Sequence, residues 1–102
     1  MTTQFSTDVR NAVLNAIETT IGAAPTLELR TGAPPANAAA ADSGTLLASM
    51  TLPSDWMADA ANGAKGILGT WQDSAADAAG TVGHYRIKAS GACKIQGTVT
   101  IT

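Results

Sequence analysis

The sequence has few of the residues on which small proteins often depend for stability or catalysis. Of its 102 residues one is a cysteine, 4% are aromatic and 14% are charged, against roughly 25% charged residues in an average soluble protein. A single cysteine excludes an intrachain disulfide framework. The net charge of −2 gives the whole chain no electrostatic attraction for nucleic acid or for a membrane surface.

Targeting and membrane signals are also missing. The first residues, MTTQFSTDVR, lack the basic and apolar regions of a secretory signal. No run of about 18 apolar residues is present that could span a bilayer. We therefore expect synthesis in a cytosol, with neither a membrane nor a nucleic acid as partner.

Catalytic and metal-binding motifs are not found. The sequence has no H-E-x-x-H, no paired C-x-x-C and no Walker loop. A lone strand histidine, His84, is more often a solvated or interface residue than a metal ligand, and Cys93 is expected to fill core space. Four aspartates at spacing four lack the pattern of a calcium loop: Asp55, Asp59, Asp73 and Asp77. We predict a protein that is not an enzyme and that binds no cofactor or metal.

One amphipathic helix is predicted at about 5–22. Its apolar stripe recurs every four residues, at Val9, Val13, Ile17 and Ile21. Ser6 or Thr7 is placed to cap its start, and Gly22 to end it. We expect the stripe to pack within the same chain rather than against another copy.

The rest of the chain alternates in the manner of β-strands. Strands are predicted at 26–31, 45–52, 66–72, near 82–89 and at 92–102, with a short helix from Ser54 to about 61. No two strands are separated by a crossover helix of adequate length, so a parallel sheet is not expected. We predict one domain, 1–102, with a helix at about 5–22 and a β-rich remainder at about 26–102. Its fold is mainly β (α+β), an antiparallel β-sheet or sandwich with one N-terminal amphipathic helix.

The last two strands are predicted to form a hairpin with a three-residue loop, 89–91. This register places Ile87 opposite Cys93, Tyr85 opposite Ile95, and Arg86 opposite Lys94. It also puts His84 and Cys93 on opposite faces. The predicted core is the apolar side of the alternating strands, namely Leu27, Leu29, Met50, Trp71, Tyr85, Ile87 and Ile95, with Trp56 and Met57 plugging one end.

Two features of this hairpin suggest contact with other subunits. Arg86, Lys88 and Lys94 form a basic patch, interpreted first as a solvated face, second as a contact with an acidic subunit, and third as a nucleic-acid contact. The terminal strand carries apolar residues, and we expect its free edge to be paired within the sheet or completed by a strand from elsewhere. The candidate interface residues are Arg86, Lys88, Lys94, Val99 and Ile101.

Several stretches resemble a family of small virion structural proteins of tailed bacteriophages. The resemblance covers nearly the whole chain, and its most specific parts are R-T-G-A-P-P-A-N, L-P-S-D-W-M and G-T-V-G-H-Y-R-I. It implies a structural role in the virus particle, assembled in the cytoplasm of a bacterial host, and brings no catalytic residues. Members of the family tend to continue beyond G-T-V-T with a polar turn and further strand-like sequence.

Two classes of function follow from this resemblance. The first is a capsid decoration, cement or minor capsid protein that binds other virion subunits as a homo-oligomer, with a trimer suggested by analogy. The second is a tail, head–tail or fibre-associated protein with a host-binding role. The loops are rich in alanine, glycine and aspartate rather than in aromatic recognition residues, which favours the first class.

Overall fold

The computed structural model describes residues 3–73 and 75–100. It contains one helix, α1 (Thr7–Ile21), and four strands: β1 (Thr26–Thr31), β2 (Leu46–Thr51), β3 (Val82–Ala89) and β4 (Ala92–Thr98). The strands form a single antiparallel sheet in the order β2-β1-β3-β4. The predicted mainly β fold with one helix is thus confirmed. Of the two predicted forms, sheet or sandwich, the described residues form a single sheet and contain no second sheet to make a sandwich.

Helix α1 forms where the sequence predicts it, for the expected reasons. The Ser6 side chain accepts a hydrogen bond from the Val9 backbone N–H, and Asp8 lies in the first turn, where the helix dipole favours an acidic group. The helix stops at Gly22, whose φ of 96° is available to glycine at little steric cost. The Gly22 N–H donates to the carbonyl of Glu18 at 2.9 Å.

The core lies on the apolar face of the sheet, against the end of α1 at Ile21 and the chain that follows β2. Four buried apolar residues form its centre: Ile21, Leu52, Trp56 and Ile87. The Trp56 indole N–H donates to the Gly22 carbonyl at 2.9 Å and so ties the core to the end of α1. Half-buried side chains pack around this centre, namely Leu27, Met50, Met57, Trp71, Tyr85, Ala89 and Ile95. Of the predicted core only Leu29 is outside this set, although it too is half-buried.

The opposite face of the sheet is polar and is covered by the β1–β2 connection, residues 32–45. His84 Nδ1 lies 2.9 Å from the Gly32 carbonyl oxygen, and the Gln96 side-chain amide donates to the Pro35 carbonyl at 2.9 Å. The molecule is therefore layered, with α1 and the chain from 53 to 72 on one face and the 32–45 loop on the other.

The chain from 53 to 72 is irregular, and the predicted short helix from Ser54 and strand at 66–72 are wrong. Isolated bridges join Met57 to Ile67 and Ala61 to Ala64. The backbone N–H groups of Met57, Ala60 and Gly63 donate to side chains of α1 instead of to carbonyls of a local helix. Tertiary hydrogen bonds have thus replaced the secondary structure that local propensity favoured.

The final hairpin forms, but with another register. Its turn has two residues, Ser90 and Gly91, with φ of 53° and 80°, which is the geometry of a type I′ turn. The two-residue turn pairs Lys88 with Cys93, and because a bulge follows at Lys94, Ile87 pairs with Ile95. The predicted pairs of Ile87 with Cys93, Tyr85 with Ile95 and Arg86 with Lys94 are therefore wrong.

The two-residue turn also changes the face on which Cys93 lies. Cys93 pairs with Lys88 on the polar face, which His84 and Arg86 share, so its expected place in the apolar core is wrong. The predicted placement of His84 and Cys93 on opposite faces is wrong for the same reason. His84 lies four residues along β3 from Lys88, which is roughly 13 Å, so the thiol and the imidazole are still too far apart to form a catalytic pair.

Candidate interaction surface

The polar face of the sheet is held to the 32–45 loop by a cluster of charges around Asp42. The Asp42 carboxylate pairs with Arg86, with Lys88 at 2.6 Å and with Arg30 at 3.3 Å. The hydrogen bond from Lys88, helped by Arg86 and Arg30 and opposed by partial burial, lowers the pKa of Asp42 to about 2. Asp42 therefore stays ionised and links the loop to β1 and β3 over the whole neutral range.

Arg86 is the buried member of this cluster and is only 2% exposed. Its guanidinium donates to the carbonyls of Ala38 at 3.0 Å and Ala40 at 3.1 Å, besides its pair with Asp42. Burial alone would lower the pKa of Arg86, but the interactions with Asp42 and Cys93 together outweigh burial and raise that pKa. The expected solvated face is wrong for Arg86, because the 32–45 loop folds back over β3.

The other candidate interface residues are placed differently from one another. Lys88 is half-buried and paired with Glu28 at 3.1 Å as well as with Asp42. Lys94, the bulge residue, is exposed. Val99 is half-buried and lines the apolar groove described below, and Ile101 lies outside the described residues. Their role as an interface stays a prediction.

His84 is fully buried, so its expected position as a solvated or interface residue is wrong. Its Nε2 atom has no hydrogen-bond partner among the described residues. No group of three or more histidine, cysteine or carboxylate side chains is placed to hold a metal ion in the parts of the chain that the structure describes.

An open apolar groove of about 480 Å³ runs between α1 and the sheet. Its walls are almost entirely aliphatic or aromatic, and include Leu14, Ile17, Leu29, Trp71, Ile95 and Val99. The lining also includes the charged residue Lys65. Its ammonium group forms an ion pair with the Glu18 carboxylate at 2.9 Å and donates a hydrogen bond to the side-chain oxygen of Asn15 at 2.8 Å. The hydrogen bond from Lys65 lowers the pKa of Glu18, which favours the ionised carboxylate in this pair.

The apolar stripe of α1 is largely exposed, and the prediction that it packs within the chain is wrong for most of its length. Val9, Val13 and Ile17 are 42%, 58% and 39% exposed, and only Ile21 is buried. The reason is a polar row on the other side of the helix, Asn11, Asn15 and Glu18, which accepts the N–H groups of Gly63, Ala60 and Met57. These bonds turn α1 so that its stripe faces outwards.

The sequence contains a signal for this orientation that apolar spacing alone does not reveal. Asn11, Asn15 and Glu18 stand at spacings of four and three, which places them on one side of a helix. Each has a short side chain or a carboxylate that can accept a backbone N–H. Helix α1 therefore has two sides able to make contacts, the polar row and the apolar stripe. Residue spacing alone does not show which of the two sides packs against the rest of the chain.

The edge of the sheet beside α1 is formed by β4. Among the described strands β4 pairs only with β3, so the predicted pairing of its outer edge within the sheet is not found there. A second, shallower groove lies between β4 and the helix, lined by Val13, Ala16, Ile17, Thr20, Ile21, Lys94 and Ile95. The outward side of α1 and the start of β4 therefore form one continuous surface.

Comparison with known proteins adds no assignment. No protein-family model, no curated protein and no solved structure matches the chain. Within the described ranges, no helix has the length and apolar character needed to cross a membrane.

Proposed function

We propose that this protein is a non-enzymatic structural subunit that binds other protein subunits, and that it belongs to the particle of a tailed bacteriophage. The first half of the proposal rests on the exposed surface of the molecule. The second half rests on the sequence resemblance to small virion structural proteins. Within the particle a capsid decoration, cement or minor capsid role is favoured over a tail or fibre role.

The observation that carries the proposal is the extent of the surface. A compact monomer of 10.2 kDa is expected to expose about 5,300 Å², whereas this chain exposes 6307 Å². Its radius of gyration is 15.1 Å, against about 13 Å for a compact domain of this length. The excess of about 1,000 Å² is comparable with the roughly 800 Å² that each partner buries in a standard protein interface.

The chemistry of the surface agrees with a binding role. Several large apolar side chains are exposed, and Val9, Val13 and Ile17 among them lie together on α1, where a protein partner would remove them from water. The charged groups of the polar face are instead used inside the molecule, where they hold the 32–45 loop to the sheet. This distribution of exposed apolar groups and internally paired charges favours contact between subunits over chemistry on a bound substrate.

The test is to locate the protein in purified particles. The phage that encodes the chain would be grown, its particles purified by density gradient, and the chain quantified by mass spectrometry relative to the major capsid protein. We expect the chain to co-purify in a fixed ratio, and cryo-electron microscopy to place it on the capsid. Its absence from particles contradicts the proposal, and a position restricted to the tail supports the tail or fibre role instead.

A further inference from the structure

The outward side of α1 presents a ridge of large apolar side chains. Val9, Val13 and Ile17 recur every four residues, and Phe5, which precedes the helix, is 63% exposed. A row at this spacing is the ridge that a helix uses to pack against another helix. The ridge is centred on Val13, close to the middle of α1 (Thr7–Ile21).

A shallow groove floored by small side chains runs beside the ridge. The neighbouring row consists of Ala12, Ala16 and Thr20, and all three residues are exposed. Ridges of the i±4 type pack into the grooves between such rows of a second helix, at a crossing angle of about −50°. Because α1 carries both a ridge and a groove, its outward side is complementary to a copy of itself.

We propose that α1 binds α1 of a second copy of this chain, in a two-fold arrangement whose axis passes close to Val13. In this arrangement the ridge of each helix lies in the groove of the other, as an isologous interface requires. The contact is one that the structural subunit proposed above would make, and it therefore rests on that proposed function.

A charge in the first turn of α1 and another on the strand beside its second half favour an antiparallel arrangement. Asp8 lies in the first turn, while Lys94 lines the groove beside Ala16 and Thr20 in the second half of the helix. Lys94 forms no ion pair with the described residues. The last turn of α1 itself carries no basic residue. A parallel pair would bring like ends together, whereas an antiparallel pair sets the Asp8 end of each helix towards Lys94 of the other copy and also opposes the helix dipoles.

A second copy fits the helix better than a membrane surface does. Helices that lie on membranes carry lysine and arginine on their polar side, whereas the polar side of α1 carries Asn11, Asn15 and Glu18, which are bound to the chain from 57 to 63. The excess surface of the whole chain, about 1,000 Å² over a compact monomer of 10.2 kDa, is also large enough for the roughly 800 Å² that each partner buries in a standard dimer.

The first test is the mass of the full chain in solution, by sedimentation equilibrium from micromolar to millimolar concentration. We expect a monomer–dimer equilibrium, weakened at least ~10-fold by Val13→Glu, since the two-fold axis brings the two introduced charges together. Ile67→Glu is the matched control, because Ile67 is 62% exposed but lies outside α1, and it should change the dissociation constant less than ~2-fold. Far-UV circular dichroism and tryptophan fluorescence verify the fold of each variant.

The second test locates the axis. In a Cys93→Ser background, Val13→Cys should form an intermolecular disulfide under mild oxidation, whereas Thr19→Cys, also exposed on α1, should not. A monomer at every concentration, a trimeric mass, or a dimer unaffected by Val13→Glu would overturn the inference, and so would equal cross-linking at both positions. Since incorporation into particles is measured separately, a monomer that still enters particles leaves the proposed function standing while the α1 pairing fails.

Discussion

Individual residues set how closely the layers of this protein approach each other. Gly83, in β3, faces Gly32 at the start of the loop that covers the polar side of the sheet. A β-carbon at position 83 would lie 2.2 Å from the Gly32 carbonyl oxygen, which is a backbone atom. Because backbone cannot rotate away as a side chain does, this position accepts only glycine unless β3 or the loop moves.

Gly83→Ala is therefore expected to be strongly destabilising. We expect the free energy of unfolding to fall by at least about 1–3 kcal/mol, as for an overpacked interior. Gly66→Ala is the control, because a β-carbon there meets no atom within 4 Å, and its effect should lie within about 0.5 kcal/mol. Urea denaturation followed by tryptophan fluorescence measures both, and equal effects would contradict the close approach.

At the scale of elements, α1 is attached to the molecule by hydrogen bonds as much as by apolar packing. Asn15 is the central residue of its polar row. Its side-chain oxygen accepts from the Ala60 backbone N–H at 2.9 Å and from Lys65 Nζ at 2.8 Å. These bonds hold the irregular chain from 57 to 65 against the helix and keep the apolar ridge of α1 outside.

Asn15→Ala should loosen this attachment. The substitution leaves the half-buried Ala60 N–H without its acceptor, while Lys65 keeps Glu18 and the Ala58 carbonyl, and we expect a loss of about 1–3 kcal/mol in the free energy of unfolding. Hydrogen exchange should also become faster at Ala60. Asn37→Ala makes the same chemical change at an exposed position whose side chain bonds to none of the described residues, so a similar loss there would show that the effect is not specific to the helix contact.

At the scale of the whole molecule, electrostatics hold the 32–45 loop as a layer over the sheet. Asp42 joins three basic residues from β1 and β3, and its pKa of about 2 lies below the ordinary 3.8. A carboxyl group with a lowered pKa in the folded state contributes stability that is fully present above its unfolded pKa. That contribution is lost as the pH falls through the folded pKa.

We therefore expect the difference in melting temperature between the native chain and Asp42→Asn to be constant from pH 7 to about pH 5. The difference should shrink between about pH 4 and pH 2, as Asp42 itself becomes protonated. Asp77→Asn is the matched control, since Asp77 is exposed and its side chain bonds to none of the described residues. A difference that does not change with pH would show that the charge of Asp42 does not hold the loop.

Local patterns in the sequence were sufficient for the helix and for the four strands that form. Ser6, the apolar spacing and Gly22 define α1 through contacts within a few residues, and strand alternation in β1 and β3 follows from the two-residue period of side chains. The short helix from Ser54 failed, because its N–H groups found acceptors on α1, far away in the sequence. The hairpin register failed because the loop has two residues, Ser90 and Gly91, instead of three, and because a bulge at Lys94 then shifts the pairing by one further residue.

The candidate surface depended still more on tertiary structure. The sequence showed that Val9, Val13 and Ile17 share a side of α1, but not whether that side faces the core or the solvent. The orientation was decided by the bonds from Asn11, Asn15 and Glu18 to the chain 39 to 52 residues later. Likewise Arg86 belongs to a residue type that is usually exposed. It is buried here because the 32–45 loop supplies a carboxylate and carbonyl oxygens as its partners. Periodicity specifies which residues share a face, whereas only long-range contacts specify what that face meets.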